Sequence, residues 1–523
     1  MDFVPPYALP ALAAFCTACL ASLALTPLVA RLAVRVGAVD GPDDRRKSQA
    51  QAVPLGGGLA VAMAAGIAIV LAWFFAAPRG GAIGPSMAGG ALVSGVVLLV
   101  VGLLDDAIGL TGIYKLIGQI MAASLLVAAG FQFETISLCG WSFTLGVFGI
   151  PFSLFFCLGA INAFNLIDGV DALASSIGAV VCLTLGVIAA SQGAMAAALT
   201  SFAMSGALIG FLRYNAPPAR VYLGDTGSML IGWVVAAVAI RSSIKEQAVV
   251  ALTVPVAICA IPILDAAAAL VRRITTGQSV FTADRGHLHH ALLLRGWSVG
   301  QTAALAAGLT AVTCGGAMAS YFTDHDAYAV VAGGGVVLAL AIARVFGHAE
   351  AALIASHLRA MGRGAWRRVV PATSQQANHT DHAVQIQGRR QWNVLWTALR
   401  EAAPVHNLVG LKLNVNIPNL HESFFASWRA SDAPANGAVW RMALPLTCAD
   451  RPVGRLVVEG KSAGAQCLVE MQQVLDFLEP LEANIARIVD DVELPLARDE
   501  RSGLQPGAKA AERPPKALIA GNG

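Results

Sequence analysis

The sequence predicts an all-α polytopic membrane protein of about eleven transmembrane helices, N-terminus outside and C-terminus cytoplasmic, followed by a small α+β cytoplasmic domain. Low charge, apolar runs of spanning length and one-sided basic residues predict it. Of 523 residues, 56% are hydrophobic and 13% charged, about half the ~25% charge of a soluble domain. The mean hydropathy is +0.65. Apolar surface in that excess needs lipid as its solvent. A net charge of +3, with no long Lys/Arg run, gives nucleic acid nothing to bind. The nine cysteines lie scattered, without paired CxxC motifs, and Cys16 and Cys19 read as packing residues on one helix face.

Crossing ~30 Å of hydrocarbon takes roughly 20 helical residues. Runs of that kind lie at about 8–30, 56–77, 86–104, 115–130, 145–161, 173–191, 194–212, 226–241, 248–270, 300–320 and 327–346. The first is preceded by no basic segment and followed by no credible cleavage site, so it reads as a retained span. Orientation follows from the loops. One side carries Arg31, Arg35, Arg45, Arg46, Lys47, Lys115, Arg213, Arg220, Arg272, Arg273, Arg285 and Arg295; the other has only Arg79, Arg241 and Lys245. Basic residues stay inside, so the first set is cytoplasmic.

Residues 1–346 form the expected membrane domain and 347–383 a basic juxtamembrane linker. A cytoplasmic domain is expected at 384–495 and a disordered tail at 496–523. Trp392, Leu395, Trp396 and Leu399 recur at helical spacing, predicting an amphipathic helix over 384–403. Strand-like runs follow at 408–417, 424–429, 440–447 and 453–459, with Asp450, Arg451 and Pro452 as the turn of a hairpin. A helix near 464–490 closes the domain.

Ionisable residues at membrane spans are costly and mark function. Here they gather in the cytoplasmic loops: 40–47 with Gly56–Gly58, then 105–106, 162–171, 224–228 and 284–290. Adjacent Asp105 and Asp106 repel unless a cation or shared proton holds them, and Mg2+ (or Mn2+) suits carboxylates together with substrate phosphates. The plainer reading is a hydrated helix end. Lys115, nine residues on, can pair with a carboxylate or a phosphate. Asn162, Asn165, Asp168 and Asp171 recur every third residue and predict a polar stripe on one face. Amides there suit a base or sugar, and carboxylates suit ribose hydroxyls or metal-bound water. Gly224–Ser228 is a compact turn in which Asp225 can hold a metal bridging a diphosphate. His287, His289 and His290, with Arg285, suit anion contact; zinc is the competing reading.

The succession LLDDAIGL, NAFNLIDGVDALA, VYLGDTGSM and PILDAAAALVRRITTGQSVFTADRGHLHH resembles the polyprenyl-phosphate N-acetylhexosamine-1-phosphate transferase superfamily over residues 1–345. The HLHH form is similar to the branch that uses UDP-N-acetylhexosamines. The resemblance implies transfer of a HexNAc-1-phosphate, GlcNAc-1-phosphate above all, from a UDP-sugar to undecaprenyl phosphate, releasing UMP. That step initiates lipid-linked cell-surface polysaccharide, lipopolysaccharide among them, at the cytoplasmic face of the bacterial inner membrane.

It further implies Asp105, Asp106 and Asp168 as catalytic, and Asp225 and Asp106 as metal ligands. The substrate-binding residues it implies are Lys115, Asn162, Asn165, Asp171, Arg285, His287, His289 and His290. Two positions depart from the family pattern: Gln49 stands where a histidine is usual, and Ala172 where a glycine is usual. Charges at one edge of the bundle disfavour a lipid-linked anion transporter, which uses the midplane, and the intact aspartates disfavour a non-catalytic homologue. The C-terminal domain is expected to be an interaction or regulatory module that binds a partner glycosyltransferase, mediates dimerisation or senses a small ligand.

Overall fold

A computed structural model describes residues 8–40, 52–76, 84–138, 141–243, 253–276, 286–343, 345, 347–355 and 358. Further along it describes 380–387, 391–417, 422–430, 439–448, 451–461, 467–478, 485 and 488. The chain divides into two units, Met1–His357 and Leu358–Gly523.

Helices build the first unit, as expected where lipid offers backbone groups no hydrogen bonds. They are α1 Ala8–Val36, α2 Gly57–Ala76, α3 Pro85–Ile108, α4 Gly112–Ala128, α5 Gly149–Ile167, α6 Leu173–Ser191 and α7 Met195–Asn215. There follow α8 Gly224–Ser243, α9 Thr253–Ile258, α10 Ala260–Thr276, α11 Leu288–Leu293, α12 Val299–Thr323 and α13 Ala327–Ile342. Two short hairpins join them, β1 Val39–Asp40 with β2 Val53–Pro54, and β3 Thr135–Leu138 with β4 Trp141–Thr144.

Among the described residues, seven helices are long and apolar enough to cross a membrane: α1, α2, α3, α5 with the turn before it, α6, α7 and α12. The other expected spans are helical but depart from that standard. Helices α4 and α13 have 17 and 16 residues. Helix α8 carries Asp225 in its first turn and Arg241 in its last. The run at 248–270 is broken at Cys259 into α9 and α10. Pro262 accounts for the break: it has no N–H, and its ring opposes the carbonyl four residues back, at Ile258.

Helices α6 and α7 form the centre, with 78% and 67% of their apolar windows buried against 22% for α1 and 17% for α3. Small residues permit that closeness. A Cβ on Gly206 would lie 2.2 Å from the Phe15 carbonyl oxygen, and one on Gly210 2.4 Å from that of Cys19. These glycines, four apart on α7, seat it directly on the α1 backbone.

The described parts of the loops that carry the polar motifs meet one another. The first and fourth are sewn together: Tyr222 N donates to Pro54 O at 3.0 Å, and Gly57 N to Tyr222 O at 3.0 Å.

The second unit holds a five-stranded antiparallel sheet in the order β5-β7-β6-β9-β8. Its strands are β5 Thr380–Gln387, β6 Leu408–Ile417, β7 Glu422–Arg429, β8 Val439–Cys448 and β9 Arg451–Lys461. Helices α14 Trp392–Ala402 and α15 Cys467–Leu478 accompany it. Two expectations need correction. Strand β5 occupies residues read as linker and helix, because 384–387 pair with β7 while the helical spacing begins only at Trp392. Arg451 and Pro452, read as turn, pair with Cys448 and Thr447 within β9; Asp450 lies outside the described residues. In α14, Trp392, Leu395, Trp396 and Leu399 are buried together with Phe424, Ala426 and Trp428 of β7. Buried Glu422 accepts from the Trp392 indole at 3.0 Å.

Candidate active site

Successive residues on a helix point about 100° apart, so Asp105 and Asp106 at the end of α3 face different neighbours. Asp106 faces α8. Its Oδ1 accepts from Asp225 N at 2.8 Å, and its Oδ2 from Thr226 N at 3.1 Å and Thr226 Oγ1 at 2.6 Å. The first N–H groups of a helix have no partner within it, and here a carboxylate from another helix supplies one. Gly224 makes room: its φ is +73°, and a Cβ there would lie 2.7 Å from Asp106 Oδ2.

Asp105 faces α4. Its Oδ2 lies 2.9 Å from Lys115 Nζ, and its Oδ1 accepts from Leu110 N at 2.7 Å. The same ammonium pairs with Asp225 Oδ2. The other Asp225 oxygen accepts from Asn165 Nδ2 at 2.8 Å, and Asn165 also reaches Ser228 Oγ at 3.1 Å. Asp105, Lys115, Asn165 and Asp225 thus converge from α3, α4, α5 and α8. The Asp225 side chain is 34% exposed against 9% for Asp105.

The polar stripe divides where α5 ends. Asn162 lies one turn inside, donating to Gln119 Oε1 at 2.8 Å and to Leu158 O at 2.9 Å. Asp168 caps the helix with ψ of 49°. Burial, then the nearby Asp225 and Asp106, push its carboxyl well above the usual range. Asp171 turns away and accepts from Ala219 N at 2.9 Å, which fixes the loop before α8. The four residues therefore share no common face beyond Asn165, because the helix stops at Ile167.

The histidine loop meets this stripe at Gly169, where a Cβ would lie 2.7 Å from His289 Nε2. His289 is buried, its Nε2 has no hydrogen-bond partner among the described residues, and burial brings its pKa down to about 4. The His287 ring stacks parallel to it with centroids 5.7 Å apart, and His290 tilts over it at 4.3 Å. Arg285, Asp284, Lys47 and Gln49 lie outside the described residues.

Three residues that hold this end of the bundle were not among the site residues read from sequence. Asp265 accepts from Leu288 N and binds His287 Nδ1, each at 2.8 Å. Arg272 forms a buried ion pair with Glu350. Asn215 accepts from Ala172 N at 3.0 Å and Ser175 Oγ at 2.9 Å, and donates to Val221 O at 3.0 Å. A lone acid in the apolar string PILDAAAALV was a readable signal for Asp265; Asn215 gave none.

Residues 88–243, which carry all four converging side chains, match the profile described as Glycosyl transferase family 4. The chain is 31% identical over 287 residues to a probable undecaprenyl-phosphate N-acetylglucosaminyl 1-phosphate transferase of Bacillus subtilis (strain 168), covering 54% of this chain and 78% of that protein. The chain belongs to glycosyl transferase family 4. A decaprenyl-phosphate N-acetylglucosaminephosphotransferase of Mycolicibacterium smegmatis is 32% identical to this family 4 chain over 349 residues, 62% of this chain and 86% of the relative. An undecaprenyl-phosphate alpha-N-acetylglucosaminyl 1-phosphate transferase of Salmonella typhi is 28% identical over 302 residues, 56% and 80% respectively.

Among the described residues no three His, Cys, Asp or Glu side chains group tightly enough to chelate a metal by themselves. This donor set fits Mg2+, which binds through one or two carboxylates and completes its octahedron with water and substrate phosphates.

Proposed function

We propose that this protein transfers GlcNAc-1-phosphate from UDP-GlcNAc to undecaprenyl phosphate at the cytoplasmic face of the bacterial inner membrane, releasing UMP. The observation that carries this reading is the convergence of Asp105, Lys115, Asn165 and Asp225 at one end of a multi-pass helical bundle. Its relatives, named for polyprenyl-phosphate GlcNAc-1-phosphate transfer, supply the substrate class.

A phosphate monoester is already a nucleophile, so the protein needs to align it, take its proton and neutralise charge. Asp105 accepts the proton of the lipid phosphate. The freed oxygen bonds to the β-phosphorus of the UDP-sugar as the bond to the α-phosphate oxygen breaks, and the electron pair leaves on UMP. Lys115 lies between the two carboxylates and offers its charge to the entering phosphate. Asp106 holds the start of α8, which aims Asp225. Mg2+ held by Asp225 supplies charge neutralisation of the diphosphate when bound. Asn165 orients Asp225, Asp168 lines the nucleotide side, and His287, His289 and His290 face the diphosphate.

No observation favours a transporter or a non-catalytic homologue. The second unit is assigned to a dimer or downstream-enzyme contact, which deleting residues 370–523 tests through assembly and product yield. The transfer is tested by UMP release: it should require both substrates and accompany a lipid product heavier by one HexNAc phosphate. Release without the lipid acceptor would contradict it.

A further inference from the structure

Helix α10 presents Asp265 and Arg272 seven residues apart, hence on one face, and both meet the histidine loop. Asp265 is 1% exposed and spends its two carboxylate oxygens on one turn of that loop, Oδ2 on the His287 ring and Oδ1 on the Leu288 amide. Two turns along, the Arg272 guanidinium backs the loop at Gly286, where a Cβ would lie 2.5 Å from it. Glu350 balances the Arg272 charge in that dry setting. A buried carboxylate is costly unless its partners satisfy it, and here both partners belong to the loop.

We infer that Asp265 is a positioning residue for the transfer: it fixes the orientation and tautomer of His287, and so sets the whole histidine loop against the nucleotide side of the site. A carboxylate can only accept, so Nδ1 carries the hydrogen between them, and Nε2 is the ring nitrogen left to meet a substrate. His287 in turn stacks on His289, and His289 abuts Gly169 beside Asp168. Orientation therefore passes from α10 to the aspartate stripe through two parallel rings. Asp265 itself meets no substrate; it acts through His287.

This inference rests on the transferase reading, so its test uses binding as well as turnover. Full-length wild type, Asp265→Asn, Asp265→Glu, His287→Ala and the double variant Asp265→Asn/His287→Ala are compared in membranes. Equilibrium binding of UDP-GlcNAc is read without lipid acceptor, and kcat and KM with it. Asparagine keeps the shape but must donate to Nδ1, which reverses the tautomer.

The expected result is a loss of UDP-GlcNAc affinity on the order of tenfold in Asp265→Asn, matched by KM, with a smaller change in kcat and partial recovery in Asp265→Glu. The double variant should be no weaker than His287→Ala alone. Equal loss in kcat with unchanged affinity, or losses that multiply in the double variant, would overturn the inference. If Asp265→Asn does not fold, His287→Ala decides: unchanged UDP-GlcNAc affinity overturns it, a comparable loss supports it. A wild type that binds UDP-GlcNAc but makes no lipid product contradicts the transferase reading, while the binding series still judges Asp265. A wild type that binds none overturns both.

Discussion

The Lys115 ammonium sits between Asp225 and Asp105, pairing with an oxygen of each and tying α4 to α8 and α3. It occupies the place where two carboxylates would otherwise repel.

Replacing Lys115 with Met leaves those carboxylates without their cation. Loss of a preorganised charge at a phosphoryl-transfer site costs roughly 10²–10³-fold in kcat. The same change removes a competitor for Asp225, so Mn2+ binding, read by electron paramagnetic resonance, should tighten as activity falls. Weaker Mn2+ binding would contradict this placement of Lys115.

Asp106 acts as a cap supplied from another helix. Asp106→Ala leaves the Asp225 and Thr226 amides and the Thr226 hydroxyl without this partner. A lost cap costs about 1–2 kcal/mol, and thermal unfolding should register it together with loss of activity. Asp106→Asn keeps one accepting oxygen and should lose less stability.

Ala172 stands at φ +63°, in the left-handed region. A side chain there costs roughly 1–2 kcal/mol, part of which glycine returns as added freedom of the unfolded chain. Ala172→Gly should therefore stabilise the protein by up to about 1 kcal/mol, and Ala172→Val should destabilise it. The measurement is the unfolding midpoint in detergent.

His289 gives the histidine loop a pH dependence of known sign. Its pKa falls from 6.5 to about 4 through burial; the nearby Asp265 raises it and His287 lowers it. A folded-state value below the unfolded one means stability is complete above pH 6.5 and is lost as pH falls toward 4. Hydrogen exchange over residues 288–293, corrected for intrinsic rate, should show protection falling across that window. His289→Gln should remove the dependence.

Much of this was legible in residue order. The helical stretches followed from apolar run length, Asp105, Lys115 and Asp225 from charges placed where lipid makes them costly, and Asn165 from the three-residue polar spacing. What sequence could not carry was direction. Adjacent Asp105 and Asp106 read as one pair, yet one faces α4 and the other caps α8, because a helix turns between neighbours. The three-residue stripe suggested one face, but α5 stops at Ile167 and sends Asp171 to the Ala219 amide. Ala172 read as a small departure, and only the backbone revealed the strained angle. In the second unit, β5 was hidden because edge pairing with β7, not its own alternation, makes it a strand.

The most direct measurement uses membranes holding the full chain, radiolabelled UDP-GlcNAc, undecaprenyl phosphate and Mg2+, with Asp225→Asn and metal-free samples beside the wild type. The expected result is labelled lipid in the wild type that disappears in both controls. Labelled lipid formed equally well by Asp225→Asn, or none from the wild type with any UDP-N-acetylhexosamine, would contradict the site and the activity proposed for it.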